Sequence, residues 1–523
     1  MNVFLQRHAA SVIGVLHGFD RLLFRGTQRL LATAAGLMHY LWSAQVLLKN
    51  FGDWSQSLTE QVRSASEQVM RDANRPLIYL RDASASKEQM ARQIARDDGI
   101  KTGPVCLLSS VEPCWSYEIH RSRSERKLIL EPRYRKCLHL YHYLIHPQLG
   151  LMHARVQTWL PFTMKLCLNG REWLGRPLES VGAAYVKKEN CLTWVGDVPG
   201  AQEMLDRQLR TDWPALLGGI ARQTNPALER LLRMEGRPLE YYWSVDQSEW
   251  ASDVMFKSPA ALAGIYPKLI RQGITTLGSV EVMRFLGQRL TATGQINGHF
   301  AGEVVSDLRQ RPEGMRLKHR VNANSVKMYD KQGSVLRVET TLNNPRDLKV
   351  FRGTEAEPQK KRWRPMRKGV ADLHRRAEVS QSSNERYLGA LGAMDCQASV
   401  GEVLEPLGQG IKVQGRRYRG LRVMEAEDGK LLAAVGRGEF AINGFRNRDI
   451  RVLLMGAEAR GAEEKRRRSG RISRRLALLR AHGLIRRVSK TRRWMLTGKG
   501  QQVVTLLSVA KAASAKPLME KAA

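Results

Sequence analysis

A chain of 523 residues exceeds what one hydrophobic core usually organises, so it is expected to be modular. Its 43% apolar and 26% charged shares exclude wholesale disorder, while 85 Lys and Arg against 50 Asp and Glu, a formal +35, imply a polyanionic partner. The cysteines at 106, 114, 137, 167, 191 and 396 form no C-x-x-C pair, which argues against a zinc finger or disulfide framework, and no apolar stretch reads as a signal peptide or membrane span. A cytoplasmic, nucleoid-associated protein with no membrane attachment is therefore expected.

In chain order, residues 1–74 read as a helical region, with Leu58, Val62, Ala65 and Val69 at steps of four, three and four on one face. A first α+β unit over 75–235 opens with a βαβ pattern: a strand at 76–80, a helix capped near Ser84 or Ser86, and a strand at 104–108. Further extended runs at 115–120 and 127–130 lead into a two-stranded ribbon at 137–145 and 151–159, and then helices over 161–178 and 200–235, the latter carrying Leu205, Leu209 and Trp213. The second α+β unit, 236–354, is read as a strand at 241–256, helices at 260–272 and 279–290, and strands at 302–308, 315–328 and 335–342.

The two units echo each other. H-L-Y-(8)-G-(4)-R-V-Q-T around Tyr141 and Arg155 parallels K-M-Y-(3)-G-(3)-R-V-E-T around Tyr329 and Arg337, so each places Tyr on one strand of a hairpin and Arg on the other. Next, 355–383 reads as a basic linker in which Lys361, Arg362 and Arg364 are candidate phosphate contacts and Trp363 a candidate base-stacking residue.

Over 384–512 the pattern is helix (429–437), short extended run (440–443), helix (446–454), then a helix at 469–482 with an apolar stripe of Ile472, Leu476 and Leu479. Gly483 supplies a left-handed stop, and two strands, 484–488 and 494–497, flank a basic tip. This order resembles the winged-helix family. The resemblance implies a recognition helix presenting Arg471, Arg474 and Arg475, with Arg466, Arg467 and Arg468 at the end of the linker (455–468) before it, and a wing presenting Arg486, Arg487, Lys490, Arg492 and Arg493, to a duplex of DNA or structured RNA. The window 461–500 holds 14 Lys or Arg against 2 acidic residues, a net +12. Residues 513–523 read as a disordered tail.

The run K-x-Y-D-K-x-G-x-x-x-R-x-E, comprising Lys327, Tyr329, Asp330, Lys331, Gly333, Arg337 and Glu339, resembles a hairpin of phage and plasmid replication initiators. That resemblance makes Tyr329 a candidate nucleophile and Asp330 with Glu339 candidate Mg²⁺ ligands, with Lys327 and Arg337 beside them. Rolling-circle nucleases also need a His-hydrophobic-His pair, and no H-x-H occurs. A second acidic group, Asp246, Glu249 and Asp253, has the residue types of a ribonuclease-H-like centre. The phrases G-F-D-R-L-L-F-R-G (18–26), L-N-G-R-E-W-L (168–174) and G-F-R-N-R-D-I (444–450) resemble those of an uncharacterised family of bacterial proteins carried by mobile elements.

The expectation is an α+β multidomain protein that binds DNA or structured RNA in replication initiation, recombination or RNA-guided targeting. The alternatives are a metal-dependent nicking enzyme and a non-catalytic winged-helix regulator.

Overall fold

The computed structural model describes residues 2–512 apart from 83, 289, 292–294, 312–313, 355, 395–399, 438–439, 441–443, 457–460 and 489–490. Up to residue 249 the elements are α1 (Val3–Arg7), β1 (Val12–Gln28), α2 (Ala34–Ser43), α3 (Phe51–Asp72), β2 (Leu77–Tyr79), α4 (Lys87–Asp97), β3 (Gly103–Arg121), β4 (Leu128–His146), β5 (Gly150–Gln157) and β6 (Met164–Asn169). There follow α5 (Gly170–Ser180), β7 (Tyr185–Lys188), β8 (Cys191–Val195), α6 (Val198–Asp206), α7 (Trp213–Thr224), α8 (Ala227–Leu231), β9 (Arg233–Met234), β10 (Arg237–Pro238) and β11 (Tyr241–Phe256). The remainder comprises α9 (Pro259–Ala263), α10 (Tyr266–Thr275), α11 (Ser279–Phe285), β12 (Val304–Arg311), β13 (Gly314–Val321), β14 (Asn324–Lys331), β15 (Val335–Leu342), β16 (Lys349–Arg352), β17 (Arg362–Pro365), α12 (Leu373–Met394) and α13 (Val400–Gly408). The chain closes with β18 (Ile411–Val413), β19 (Arg416–Tyr418), α14 (Ala426–Val435), α15 (Asn447–Met455), α16 (Ala462–Ala481), β20 (Ile485–Arg487), β21 (Trp494–Leu496) and α17 (Gly498–Ala512). No helix among the described residues is long and apolar enough to cross a membrane.

Two compact units emerge: Gly18–Glu249 with Lys368–Leu373, and Met1–His17 with Trp250–Arg367 and His374–Ala523. This division crosses the boundaries expected at 75, 236 and 355. Both β1 and β11 have residues in each unit, so no single cut in the sequence separates them.

In the unit holding 18–249 the strand order is β11-β1-β6-β5-β4-β3-β2. The βαβ expectation agrees with the structure, since β2 runs parallel to β3 with Leu77 opposite Leu107 and α4 between them. The ribbon is β4 against β5, with Tyr141 opposite Arg155. The helical N-terminal reading is corrected by β1, whose even positions Leu16 to Gln28 are all buried; that is the two-residue period of a strand. Beyond it α3 is helical as expected, and its buried stripe runs through Leu58, Val62, Ser66 and Met70. The helix expected at 161–178 is corrected to β6 followed by α5, because the Asn169 side chain caps the helix by accepting from Arg171 and Glu172 N–H at 2.8 and 3.1 Å.

Two of the quoted phrases meet here. A Cβ on Gly170 would stand 1.7 Å from the Phe19 carbonyl, one on Gly26 would stand 2.8 Å from the Trp243 ring, and Arg21 faces Asn169 in the β1–β6 register. The glycines are there because the backbones touch.

In the other unit the order is β12-β13-β14-β15-β11. One face packs on α10, α11 and α12 through Leu317, Val326, Met328, Leu336, Val338, Leu269, Val282, Tyr387 and Leu391. The single strand expected at 315–328 is two, turned at Asn322, which takes a φ of 52° that asparagine tolerates. Tyr329 lies opposite Arg337, the same register as Tyr141 and Arg155. The expected basic linker instead contains β17, paired to β16, and the start of α12.

Candidate nucleic-acid interface

The C-terminal elements pack around Leu431, Phe445, Ile450, Ile472, Leu476, Leu479, Leu484, Ile485, Val503 and Leu507. Two hydrogen bonds from α15 place α16. The Asn447 side chain of α15 donates to the Ser469 carbonyl at 2.9 Å and to Ser473 Oγ at 2.8 Å. Asp449 accepts the Arg446 N–H at 2.8 Å to start α15, and Gly483, at φ 73°, ends α16 and turns it into β20. The phrase at 444–450 is thus a joint. Gly444 is left-handed at φ 62°, and the backbone of Phe445 pairs with that of Trp494 on β21. The extended run expected at 440–443 lies largely outside the described residues.

The buried stripe of α16 is the expected Ile472, Leu476 and Leu479. At 100° per residue, Arg467 and Arg474 point directly away from it, with Arg466 and Arg471 on either flank. All four are exposed. The helix begins seven residues earlier than expected, which puts Arg466, Arg467 and Arg468 within it rather than in a preceding linker.

Arg468 and Arg475 are corrected. Both sit beside the apolar stripe, Arg468 bonded to Glu464 at 2.5 Å and Arg475 ion-paired with Glu427 of α14. Arg471 shares Glu427 at 2.9 Å. Arg493 is also corrected, because it is buried, donates to the Gly444 carbonyl at 3.1 Å and lies 3.9 Å over the Phe351 ring, which makes it a structural cation. Arg487 and Arg492 are exposed; Arg486 is exposed and borders a cavity of about 480 Å³ with Arg386 and Arg437. Lys490 lies outside the described residues. Of the former linker, Lys361 and Arg362 are exposed and Arg364 is half-buried on β17. Trp363 packs against Phe351 and Phe440 at ring distances of 5.7 and 6.3 Å, so its surface is spent on the core.

The other unit carries a second surface of the same character. Near the end of the β3–β4 hairpin, Trp115 and Tyr134 are 65% and 61% exposed, their rings edge-on at 5.5 Å, in a stretch that also holds Arg121, Arg123, Arg126 and Lys136. Exposed aromatic surface among cations suits base stacking. Residues 115–120 and 127–130 are extended as expected, but the pairing that brings Trp115 opposite Tyr134 is visible only in the register.

The Tyr329 hairpin assembles part of its expected site. The Tyr329 hydroxyl donates to Glu339 at 2.8 Å, Lys327 Nζ lies 2.6 Å from the same carboxylate, and Arg337 clamps Asp253 at 2.6 and 2.8 Å. Directly opposed residues share a face, and Glu339 opposes Lys327 whereas Asp330 opposes Leu336. Asp330 and Glu339 therefore lie on opposite faces of the sheet and do not form the expected Mg²⁺ pair. Burial, offset by the Gly333 backbone, raises the Asp330 carboxyl above its ordinary range. In the acidic group, Asp246 is neutralised by Arg25 at 2.8 Å and Lys165 at 3.2 Å, and Asp253 by Arg337, so these two carboxylates are each held by a cation. The histidines on β4 divide as alternation requires: His142 meets Ser66 of α3 at 3.0 Å, while His139 lies on the other face.

No protein-family model, curated protein or solved structure matches the chain.

Proposed function

We propose that this protein binds nucleic acid, DNA or structured RNA, through a C-terminal winged-helix module in which α16 is the recognition helix and β20–β21 the wing. The observation that carries this reading is the one-sided helix. Arg466, Arg467 and Arg474 stand on the face opposite the Ile472, Leu476 and Leu479 stripe, with no ion-pair partner among the described residues, and the same side buries Leu478 only in the last turn. Together with the net +35 of the chain, the arrangement suits counterion release from a phosphate backbone. The proposed setting is a bacterial mobile element, in replication initiation, recombination or RNA-guided targeting.

Arg467→Ala with Arg474→Ala is expected to weaken binding of a labelled duplex about tenfold or more at moderate salt. It should also flatten the plot of log K against log salt by about 1.8, at about 0.9 for each phosphate no longer neutralised. Fluorescence anisotropy on DNA and RNA duplexes measures both, and an unchanged slope removes α16 from the interface. Treating copurified nucleic acid with DNase or RNase identifies the polymer.

The Tyr329–Glu339 hydrogen bond favours a second reading, a nicking enzyme, because a carboxylate within 2.8 Å of a phenol is placed to take its proton. Supercoiled plasmid with Mg²⁺ should then be nicked by the intact chain and not by Tyr329→Phe. No nicking by the intact chain leaves the protein a binder or a regulator, and equal nicking by both removes Tyr329 from the chemistry.

A further inference from the structure

The β3–β4 hairpin brings together three side chains that the functional reading does not use. Cys114 Sγ and Cys137 Sγ stand 2.9 Å apart, and the nearest ring nitrogen of His139 lies with both inside a 4.8 Å circle. Cys137 and His139 share a face of β4 because they are two residues apart on a strand. Cys114 reaches them from β3, where the register sets it one step along, opposite Arg135, with Glu112 opposite Cys137. Cys114 and His139 are 7% and 2% exposed, and Cys137 is half-buried, which leaves one side open to solvent.

We propose that Cys114, Cys137 and His139 form a binding site for a thiolate-seeking d¹⁰ cation of the Zn²⁺ class, with a fourth position left to water or another ligand. Two thiolates and one imidazole select zinc-like ions over Mg²⁺ or Ca²⁺, which prefer oxygen. Binding leaves both sulfurs as thiolates and releases the proton they share, so the bound dication is neutralised by its own ligands. The positive charge of Arg135 and Arg155 then does not oppose it. The sulfurs share one proton in the absence of metal: the bond between them, with Arg155 and Arg135, lowers the Cys114 thiol, while the same bond and burial raise that of Cys137, so the metal must displace the Cys137 proton. With His139 Nδ1 donating to the Cys137 carbonyl at 3.2 Å, Nε2 keeps its lone pair, and such a bond to a backbone carbonyl is the usual outer support of a metal-bound histidine.

A disulfide is the competing use of the two sulfurs, and the register weighs against it. Diagonal neighbours on paired strands stand ~7–8 Å apart at Cα, beyond the ~4.4–6.8 Å that a disulfide spans. For the metal, a tetrahedral centre with bonds of about 2.3 Å needs sulfurs roughly 3.8 Å apart, so each would move by about half an ångström. Glu112 is not the fourth ligand, since Tyr141, Arg155 and Lys87 hold it. The absence of C-x-x-C concealed this site, because its cysteines are 23 residues apart and meet only across strands.

The test is a Co²⁺ titration of the full chain, reduced and freed of metal. One equivalent should bind with sulfur-to-cobalt charge-transfer absorption, and Zn²⁺ should abolish it. Cys137→Ser and Cys114→Ser should each remove at least half of that absorption. Should either serine variant fail to fold, His139→Gln, which keeps both thiols, should retain charge transfer with altered ligand-field bands. No charge transfer in the intact chain overturns the proposal, as does an unaltered spectrum in any folded variant. A Cys114–Cys137 disulfide that withstands mild reductant does so too.

Discussion

In metal-free buffer at about pH 4, the unit holding 18–249 is expected to unfold, while at pH 7 it stands. Three rings set this. Burial and the neighbouring Arg155 lower His139 to about 4, burial alone lowers His142 to about 3, and burial with Arg21 and Arg155 lowers His153 to about 3. In the unfolded chain each titrates near 6.5. Because the folded values are depressed, the unfolded state takes up protons first, so the stability from the neutral rings is full above about 6.5 and drains away as pH falls toward 4 and 3. Each tenfold preference for the neutral ring is worth about 1.4 kcal/mol. Together the three remove on the order of 9 kcal/mol between neutrality and pH 4, comparable with the ~5–15 kcal/mol of a whole domain. Tryptophan fluorescence and far-UV circular dichroism against pH would show it, with a shallower fall in His142→Gln. A signal unchanged down to about pH 3.5 would contradict neutral, water-excluded rings.

Asp253→Ala is the second large effect, expected in the other unit. Arg337 is fully buried and held by both oxygens of Asp253, itself 1% exposed. Removing the carboxylate abandons a charged guanidinium in the interior, a loss of about 3–5 kcal/mol. The double substitution Asp253→Leu with Arg337→Met takes away both charges and should restore most of that loss. Urea denaturation compares the three chains. A single variant as stable as the parent, or a double variant no better than the single, would show that the pair does not bear on stability.

How much of this was legible follows from where each signal resides. β11 and β15 were readable to within a residue because their β-branched and aromatic runs end at turn residues. β1 was missed because its alternation is masked by residues that strands usually avoid, Gly18, Asp20 and Gly26, each placed by a partner far along the chain. The stripe of α16 was legible for the opposite reason, since a helix carries its own period. Which arginines it shows was not. Glu427 lies 44 and 48 residues before Arg471 and Arg475, and Phe351 is further still from Arg493, so no local pattern reports that these cations are spoken for. The Mg²⁺ pair failed on parity alone: Asp330 and Glu339 look adjacent in a motif, yet cross-strand register assigns them to opposite sides.

The single carboxylate that serves both Arg471 and Arg475 also sets a threshold. Glu427 occupies the exposed Arg471 as a built-in counter-ion, and an isolated anion must evict it to gain the attraction of that guanidinium. If the protein binds a duplex as proposed, that polymer, with one negative charge for about every 1.7 Å of its axis, would engage Arg467 and Arg474 first and hold further phosphates against the same helix at high local concentration. Under that proposal the edge would answer to charge density rather than to charge, because a lone anion meets Glu427 already in place.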